Sequence, residues 1–277
     1  MRVVVTGASG FLGRAVVSRL TQADIECLGV SRSHPPGQCH MAQYLDAPEG
    51  DVLIHLAQTS DRAAANAGGA ALEAEAKQTL GALLAKCYRK VIYVSSAVLY
   101  GDRWATPRSV SDSVEAVDTY TRIKLASERA VLARGGGVAR MANLYGPGMA
   151  AGNVVSHILA QLDRGPAIIM HSLEPIRDFL WIEDAAEALC DMVMREAAGL
   201  FNVGSGVGTS IRDLVDLAQA AAATHQNVTA LHALARPSHL VLDISATKQG
   251  LGWQPQIRLE EGLRKLVPMK TKSEKCL

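Results

Sequence analysis

The 277-residue chain lacks a surplus of charge of either sign: 28 Lys and Arg stand against 27 Asp and Glu, for a formal net charge of +1. Nucleic-acid binders gather basic residues on one face or stripe. The cations here are scattered, so nucleic acid is not an expected partner. No stretch approaches the roughly 18 apolar residues that a membrane-crossing helix needs, and no membrane is expected. The N-terminus enters an apolar run at Val3 without a charged region and a long apolar core behind it. No secretory leader is therefore expected, and the default location is the cytoplasm. The five cysteines, Cys27, Cys39, Cys87, Cys190 and Cys276, are odd in number and widely spaced, with no C-x-x-C pair, a pattern of free thiols. His34, Cys39 and His40 lie close together. Three mixed ligands in a loop containing Pro and Gly are more often solvated surface, so no metal is expected there. No internal repeat is present.

What the chain does have is a glycine-rich turn at its start. Thr6-Gly7-Ala8-Ser9-Gly10-Phe11-Leu12-Gly13 follows the apolar Val3-Val4-Val5 and runs into Arg14-Ala15-Val16-Val17. The order reads as strand, turn and helix N-terminus, the context of a pyrophosphate site. Gly7 permits the tight turn, Gly10 lets the backbone approach an anion, and Gly13 lets the helix pack on the strand, while unpaired N–H groups of the helix end face the phosphates.

Short apolar runs at 3–5, 27–30, 52–56, 91–95 and 138–142 alternate with helix-like stretches. That alternation predicts an α/β fold with a doubly wound, Rossmann-type parallel sheet. The runs are continuous rather than alternating, as expected of strands covered on both faces. The segment 33–50 is short enough for one crossover to be a loop. After Pro147-Gly148 the pattern changes, with a further strand at 199–203 and a helix at 211–223. The expected division is a dinucleotide-binding domain over 1–148, joined by 180–204, and a smaller C-terminal substrate-binding lobe made of 149–179 and 205–270. The polar, basic residues 271–277 are expected to be a disordered tail.

Tyr120 and Lys124 are four residues apart, which on a helix places them on one face. An ammonium beside a phenol favours the phenolate, so the spacing predicts a tyrosine pKa lowered from about 10 towards the range of a working acid or base. Such a pair also occurs by chance on solvent-facing helices. Upstream, Val94-Ser95-Ser96 sets hydroxyls at the carboxyl end of a strand, where ligands of open α/β sheets bind. Ser96 can there hydrogen-bond a substrate oxygen, or simply cap the strand end.

With these motifs together, the chain resembles the extended short-chain dehydrogenase/reductase family, in particular its nucleotide-sugar epimerases, dehydratases and reductases. The likeness rests on the glycine turn, Val94-Ser95-Ser96 through Tyr100-Gly101, and Tyr120-Thr121-Arg122-Ile123-Lys124. It continues through His55-Leu56-Ala57, Arg140-Met141-Ala142-Asn143-Leu144-Tyr145-Gly146-Pro147-Gly148, Arg177-Asp178-Phe179 with Asp184, and Leu251-Gly252-Trp253 with Pro255. The resemblance implies a catalytic Ser96, Tyr120 and Lys124, with Tyr120 passing a proton to or from a sugar hydroxyl. It implies dinucleotide contacts from Gly7, Ser9, Gly10, Phe11, Leu12, Gly13, Ser31, Arg32, Leu56, Ala57 and Gln58, as well as Tyr120 and Lys124. Asn143, Asn153, Arg177 and Arg236 match positions that contact the substrate's diphosphate or nucleoside. The planar fork of arginine suits phosphate oxygens; an inter-lobe ion pair is the lesser expectation for either arginine. His55 is expected to be a satisfied core histidine. Relatives dimerise through the Tyr–Lys helix, so homodimerisation through the segments 70–86 and 118–132 is expected.

The departures are as informative. Ala97 and Val98 follow Ser96 where the family's dehydratases carry an Asp-Glu pair, so sugar 4,6-dehydration is not expected. His171-Ser172-Leu173-Glu174-Pro175 stands where a glycine-rich stretch is usual, Ile123 replaces a common serine, and Gln58 replaces a common alanine. At the end of the second strand, where NAD-selective sites place an acid on the ribose hydroxyls, stands Ser31-Arg32-Ser33. NADP(H) is therefore favoured over NAD(H), because an arginine suits a 2′-phosphate and no carboxylate repels it. The expected reaction is reduction of the C4 ketone of a nucleoside-diphosphate 4-keto-6-deoxyhexose. The alternatives are an NAD-dependent 4-epimerase of UDP-hexose type, a reductase of non-nucleotide carbonyl compounds, and a non-catalytic dinucleotide sensor.

Overall fold

The computed structural model describes residues 1–273 apart from 34–36, 163, 234–235 and 237. His34, Cys276 and the end of the expected tail, 274–277, lie outside the described residues. The first half of the chain supplies strands β1 (Arg2–Thr6), β2 (Glu26–Ser31), β3 (Cys39–His40), β4 (Val52–His55), β5 (Lys90–Ser96) and β6 (Gly137–Met141). Helices α1 (Phe11–Gln22), α2 (Arg62–Leu84) and α3 (Thr119–Ala133) lie between them. The second half adds β7 (Asn143–Tyr145), β8 (Ala167–Met170), β9 (Ile176–Trp181), β10 (Gly199–Val203), β11 (Gly208–Ser210), β12 (Asn227–Ala230) and β13 (His239–Leu240). Its helices are α4 (Val154–Gln161), α5 (Ile182–Met194), α6 (Ile211–Ala222), α7 (Ser245–Leu251) and α8 (Leu259–Ser273).

Seven strands pair in the order β10-β6-β5-β4-β1-β2-β3, and every pairing is parallel. The strand order reverses between β1 and β4, which opens a crevice at their carboxyl ends. The continuous apolar runs have a direct cause. Val3, Val5, Val52, Ile54 and Ile92 pack with α1 and α5 on one face, while Val4, Leu53, Val91 and Tyr93 pack with α2 and α3 on the other. Neighbouring residues thus feed two buried layers, and neither position can be polar.

Among its described residues the 33–50 connection holds only the two-residue β3 and a single 3₁₀ turn at Tyr44–Asp46, in line with the expected loop. Two local details differ from the sequence expectation. Helix α2 starts eight residues before the expected position 70, at an N-cap where Asp61 accepts from the Ala64 N–H. It bends at Gly69, whose φ of 54° and ψ of −143° leave the helical region, a conformation open to a residue without Cβ. The regular half therefore begins at Ala70. At the other end of the chain, residues 271–273 continue α8 instead of starting the tail, since a helix already nucleated gains one backbone bond for each residue it adds.

A second apolar cluster joins Tyr145, Phe179 and Trp181 to α4, α6 and α8. Asp178 of β9 ties this part to the loop 204–206 and to residue 242. Its buried carboxylate accepts from the Ser205 N–H and hydroxyl, the Gly206 N–H and the Leu242 N–H. Among the described residues no helix is long and apolar enough to cross a membrane.

Candidate active site

The glycine turn sits at the carboxyl end of β1. Gly7 has φ +78°, and a Cβ there would come within 3.0 Å of the Ala57 backbone. A Cβ at Gly13 would lie 2.1 Å from the Gly7 carbonyl oxygen, so only glycine lets α1 approach the strand this closely. The N-cap of α1 is Gly10, and no side chain caps the helix end. Its first-turn N–H groups are left for an anion. Arg14 braces the turn from behind, donating to the Ser9 carbonyl at 2.7 Å and the Gly148 carbonyl at 3.3 Å.

Beside the turn, the end of β2 presents a cluster of hydroxyls. Ser31 Oγ lies 2.7 Å from Ser9 Oγ and 2.8 Å from Ser33 Oγ, and Ser33 Oγ is 3.2 Å from Ser9 Oγ. Arg32 stacks over the Tyr44 ring at 5.2 Å and lies 3.9 Å from Glu75. Both partners of that ion pair are more than half exposed, so it is a weak tether. These glycines, N–H groups and hydroxyls fit a dinucleotide pyrophosphate and ribose.

The pocket continues past Ala57, Gln58 and Thr59 to Tyr120, Ile123 and Lys124, with His55 also lining it, and encloses about 120 Å³. A larger hollow of about 770 Å³ runs between α1 and α5 on the outer surface. None of Ser96, Tyr120 and Lys124 lines it, and its Arg19 and Glu187 are already paired. Tyr120 and Lys124 line the smaller pocket.

Helix α3 is placed by its own N-terminus. Asp118 accepts from the Thr121 N–H, Thr121 returns a bond to the Asp118 N–H, and Arg62 of α2 donates to the same carboxylate at 2.6 Å. Burial alone would raise the Asp118 carboxyl, but these bonds outweigh it and hold the group well below the usual carboxylate range. One turn on, Tyr120 and Lys124 are both buried, at 7% and 6% exposure. The Lys124 ammonium donates to the Val94 carbonyl at 3.1 Å and sits over the Tyr93 and Tyr120 rings at 5.2 and 5.8 Å. Ser96 caps the 3₁₀ turn Ala97–Tyr100 through the Val98 N–H and lies near enough to Tyr120 to oppose the rise in its pKa.

The expected lowering of the Tyr120 pKa is corrected here. Burial raises it above 10, with Ser96 and Arg62 pulling the other way. Burial acts on the lysine instead, bringing Lys124 down from 10.5 to about 8, opposed by Glu128. A buried cation is costly, and the helix spacing alone does not reveal that cost. His55 is held neutral, its pKa pushed down to about 3 by burial and by Lys124. Its Nδ1 lies 2.8 Å from Thr6 Oγ1, while Nε2 has no partner, so it is only half-satisfied as a core histidine.

The residues expected to contact substrate all have partners within the chain. Asn143 donates to the Asp178 carbonyl at 3.1 Å. Asn153 uses both ends of its amide on the chain, capping α4 at the Val155 N–H and donating to the Leu144 carbonyl. Arg177 and Arg236 converge on Asp102, at 3.6 and 2.9 Å, so the ion pair held as the lesser expectation does form. Ser238 ties Arg177 to the same acid. Asp102 escaped the sequence reading, since nothing in the loop 102–118 signals its partners. Tyr93, Ser127 and Asp178 also went unassigned. Tyr93 and Ser127 are buried beneath Lys124, where only the packing of β5 on α3 brings them together. Of the three candidate metal ligands set aside above, Cys39 and His40 form β3, and His40 Nδ1 lies 3.3 Å from the Ser33 carbonyl.

Comparison with known proteins agrees with this geometry. A dTDP-6-deoxy-L-talose 4-dehydrogenase (NAD(P)(+)) from Kitasatospora kifunensis is 25% identical, over 96% of this chain and 94% of the relative. A UDP-glucose 4-epimerase from Mycolicibacterium smegmatis is 29% identical, over 96% and 97%. The structure of RMD from Pseudomonas aeruginosa complexed with NADPH superposes with a TM-score of 0.84 at 25% identity, covering 96% of this chain and 97% of that one. Residues 3–204 match the model of the NAD dependent epimerase/dehydratase family, and the chain belongs to that family, as an enzyme of the extended short-chain dehydrogenase/reductase type.

Proposed function

We propose that the protein is an NADPH-dependent reductase of a nucleoside-diphosphate 4-keto-6-deoxyhexose. The observation that carries this reading is the end of β2, where Ser31, Ser33 and Ser9 cluster beside Arg32 and no carboxylate stands in the strand-end segment 31–33. That set suits a ribose 2′-phosphate. A net reductase draws on NADPH, whereas an epimerase recycles a resident NAD. RMD, complexed with NADPH, supports the same choice, and the 6-deoxytalose 4-dehydrogenase is named for either dinucleotide.

The bound dinucleotide would supply the hydride that reduces C4. Tyr120, protonated because burial keeps its pKa high, donates its proton to the C4 oxygen. Ser96 hydrogen-bonds that oxygen and holds it against the phenol. Lys124 binds the cofactor ribose and carries the positive charge that steadies Tyr120 as it loses its proton. Arg177, Arg236 and Asn143 meet the substrate diphosphate and nucleoside, and Asn153 shapes the start of α4 beside them. Ala97 and Val98 supply no acid or base, in keeping with reduction rather than dehydration. Helices α2 and α3, packed on each other, are the surface through which a homodimer would form.

The second reading is a 4-epimerase, favoured by the 29% identity to the UDP-glucose enzyme. The same residues would then serve oxidation and re-reduction. Denaturing the purified protein and identifying the released dinucleotide separates the two. An empty site that fills with NADPH and oxidises it when a 4-keto-6-deoxyhexose nucleotide is added supports the reductase. Arg32→Ala should then weaken NADPH roughly tenfold, by loss of a charge-assisted contact, and leave NADH unchanged. Stoichiometric NAD, with product formed at constant cofactor absorbance, overturns the reductase for the epimerase.

A further inference from the structure

Gln58 stands where an alanine is common, at the rim of the dinucleotide pocket, yet both ends of its amide are committed to the protein. Its Nε2 donates to Ser127 Oγ at 2.9 Å, and its Oε1 accepts from the Tyr93 hydroxyl. From the loop after β4, the Gln58 amide thus bridges Tyr93 of β5 and Ser127 of α3. Tyr93 is fully buried, and its ring lies against His55, with centroids 6.1 Å apart and planes 24° from parallel. The Lys124 ammonium sits over that ring at 5.2 Å. The geometry points to Gln58 as a positioning residue for Lys124: it holds Tyr93 as the aromatic platform beneath the ammonium.

The physical link is the phenol. A hydroxyl that donates its proton to a carbonyl oxygen leaves the ring richer in electron density, and a cation over the ring face gains from it, more so in a buried site. Burial holds the Tyr93 pKa far above 10, so it remains a donor. Other groups also face Lys124: the Val94 carbonyl of β5 accepts from its ammonium at 3.1 Å, the Tyr120 ring of α3 lies farther off at 5.8 Å and stays a neutral phenol, and His55 from β4 is neutral. Glu128 from α3 raises the proton affinity of Lys124, but Arg140 from β6 already claims it, with Nε to Oε1 at 2.9 Å and Nη2 to Oε2 at 2.6 Å. The platform is thus the adjustable part of the lysine's surroundings.

The inference rests on reading Lys124 as the charged member of the site, so its test reads the lysine directly. The protein without cofactor, with its lysines carrying ¹³C, is titrated by NMR, and Lys124 is assigned through Lys124→Arg. In the unsubstituted protein the Lys124 signal should move near pH 8. Gln58→Ala and Tyr93→Phe should each lower that midpoint by about 0.2–0.4 unit, a fraction of a cation–π contact, since the ring itself stays in place. The double variant should fall no further, because both changes break one link. Tyr93→Phe keeps the ring and the packing, so it serves if Gln58→Ala folds poorly. A midpoint that stays in place or rises in either folded variant overturns the inference and leaves the catalytic reading untouched. Full turnover by Lys124→Met would instead sink the catalytic reading.

Discussion

The two sides of the candidate site bury charge to different degrees. On the Tyr120–Lys124 side the groups are buried under the strand ends, and each ionisable side chain has its proton affinity moved by loss of water: Lys124 and His55 downwards, Tyr120 and Tyr93 upwards. On the Arg177–Arg236 side burial is partial: it lowers the Arg177 pKa, while Arg236 stays open to solvent. Two guanidiniums share one carboxylate, and Arg236 is half exposed. The difference matches the roles proposed for the two sides. Proton transfer needs a pKa that differs from its value in water, which requires burial. Binding a diphosphate needs cations that can exchange one anionic partner for another, which a dry, fully paired cluster does poorly.

The largest expected effect tests the buried side. Tyr120→Phe removes the proton donor while keeping the ring, so turnover should fall by roughly 10²–10⁴-fold with dinucleotide affinity nearly intact, measured by steady-state kinetics and fluorescence titration. Near-normal turnover would mean that the buried tyrosine is packing alone.

The next effect is on stability. His55 has a pKa of about 3 in the folded chain against 6.5 when unfolded. Below pH 6.5 the unfolded chain takes up a proton that the folded chain refuses, so stability is complete above that value and is lost as pH falls towards 3. Between pH 7 and 5 the loss should be about 2 kcal/mol, read from urea unfolding midpoints. His55→Gln should flatten this dependence. An unchanged slope would show that another group governs acid lability.

The smallest effect sharpens the exposed side. Asp102→Asn removes the competing carboxylate from Arg177 and Arg236, so the KM for the nucleotide sugar should fall by about two- to fivefold, the scale of a partly exposed ion pair, with kcat held. A raised KM would show that Asp102 is needed to place the arginines, and that the cluster is a brace rather than a receptor.

How much of this was legible depended on range. The glycine turn, the strand runs and the α3 spacing are local patterns, and the structure forms elements there, with α3 starting at the capping Asp118. The first half of α2 was hidden because Gly68-Gly69 reads as a break and the stretch 62–68 before it carries no apolar period. Strands β3 and β13, of two residues each, are too short to show any period. The small sheet that joins β11, β9 and β13 pairs segments far apart in sequence, and no local signal announces such partners. The same holds within the site: Asp102 meets Arg177 and Arg236 only because the chain returns there from three separate segments.

By itself the sequence determined the parts whose physics is local: a turn that only glycine can make, a helix whose Tyr120 and Lys124 share a face, and strands apolar enough to be covered on both sides. The tertiary structure decided the proton affinities and the partners. It placed Tyr93, His55 and Gln58 around Lys124, reversed the expected shift of Tyr120, and brought an acid between two arginines. Burial and through-space charge depend on distances between remote segments, and those distances exist only once the chain has folded.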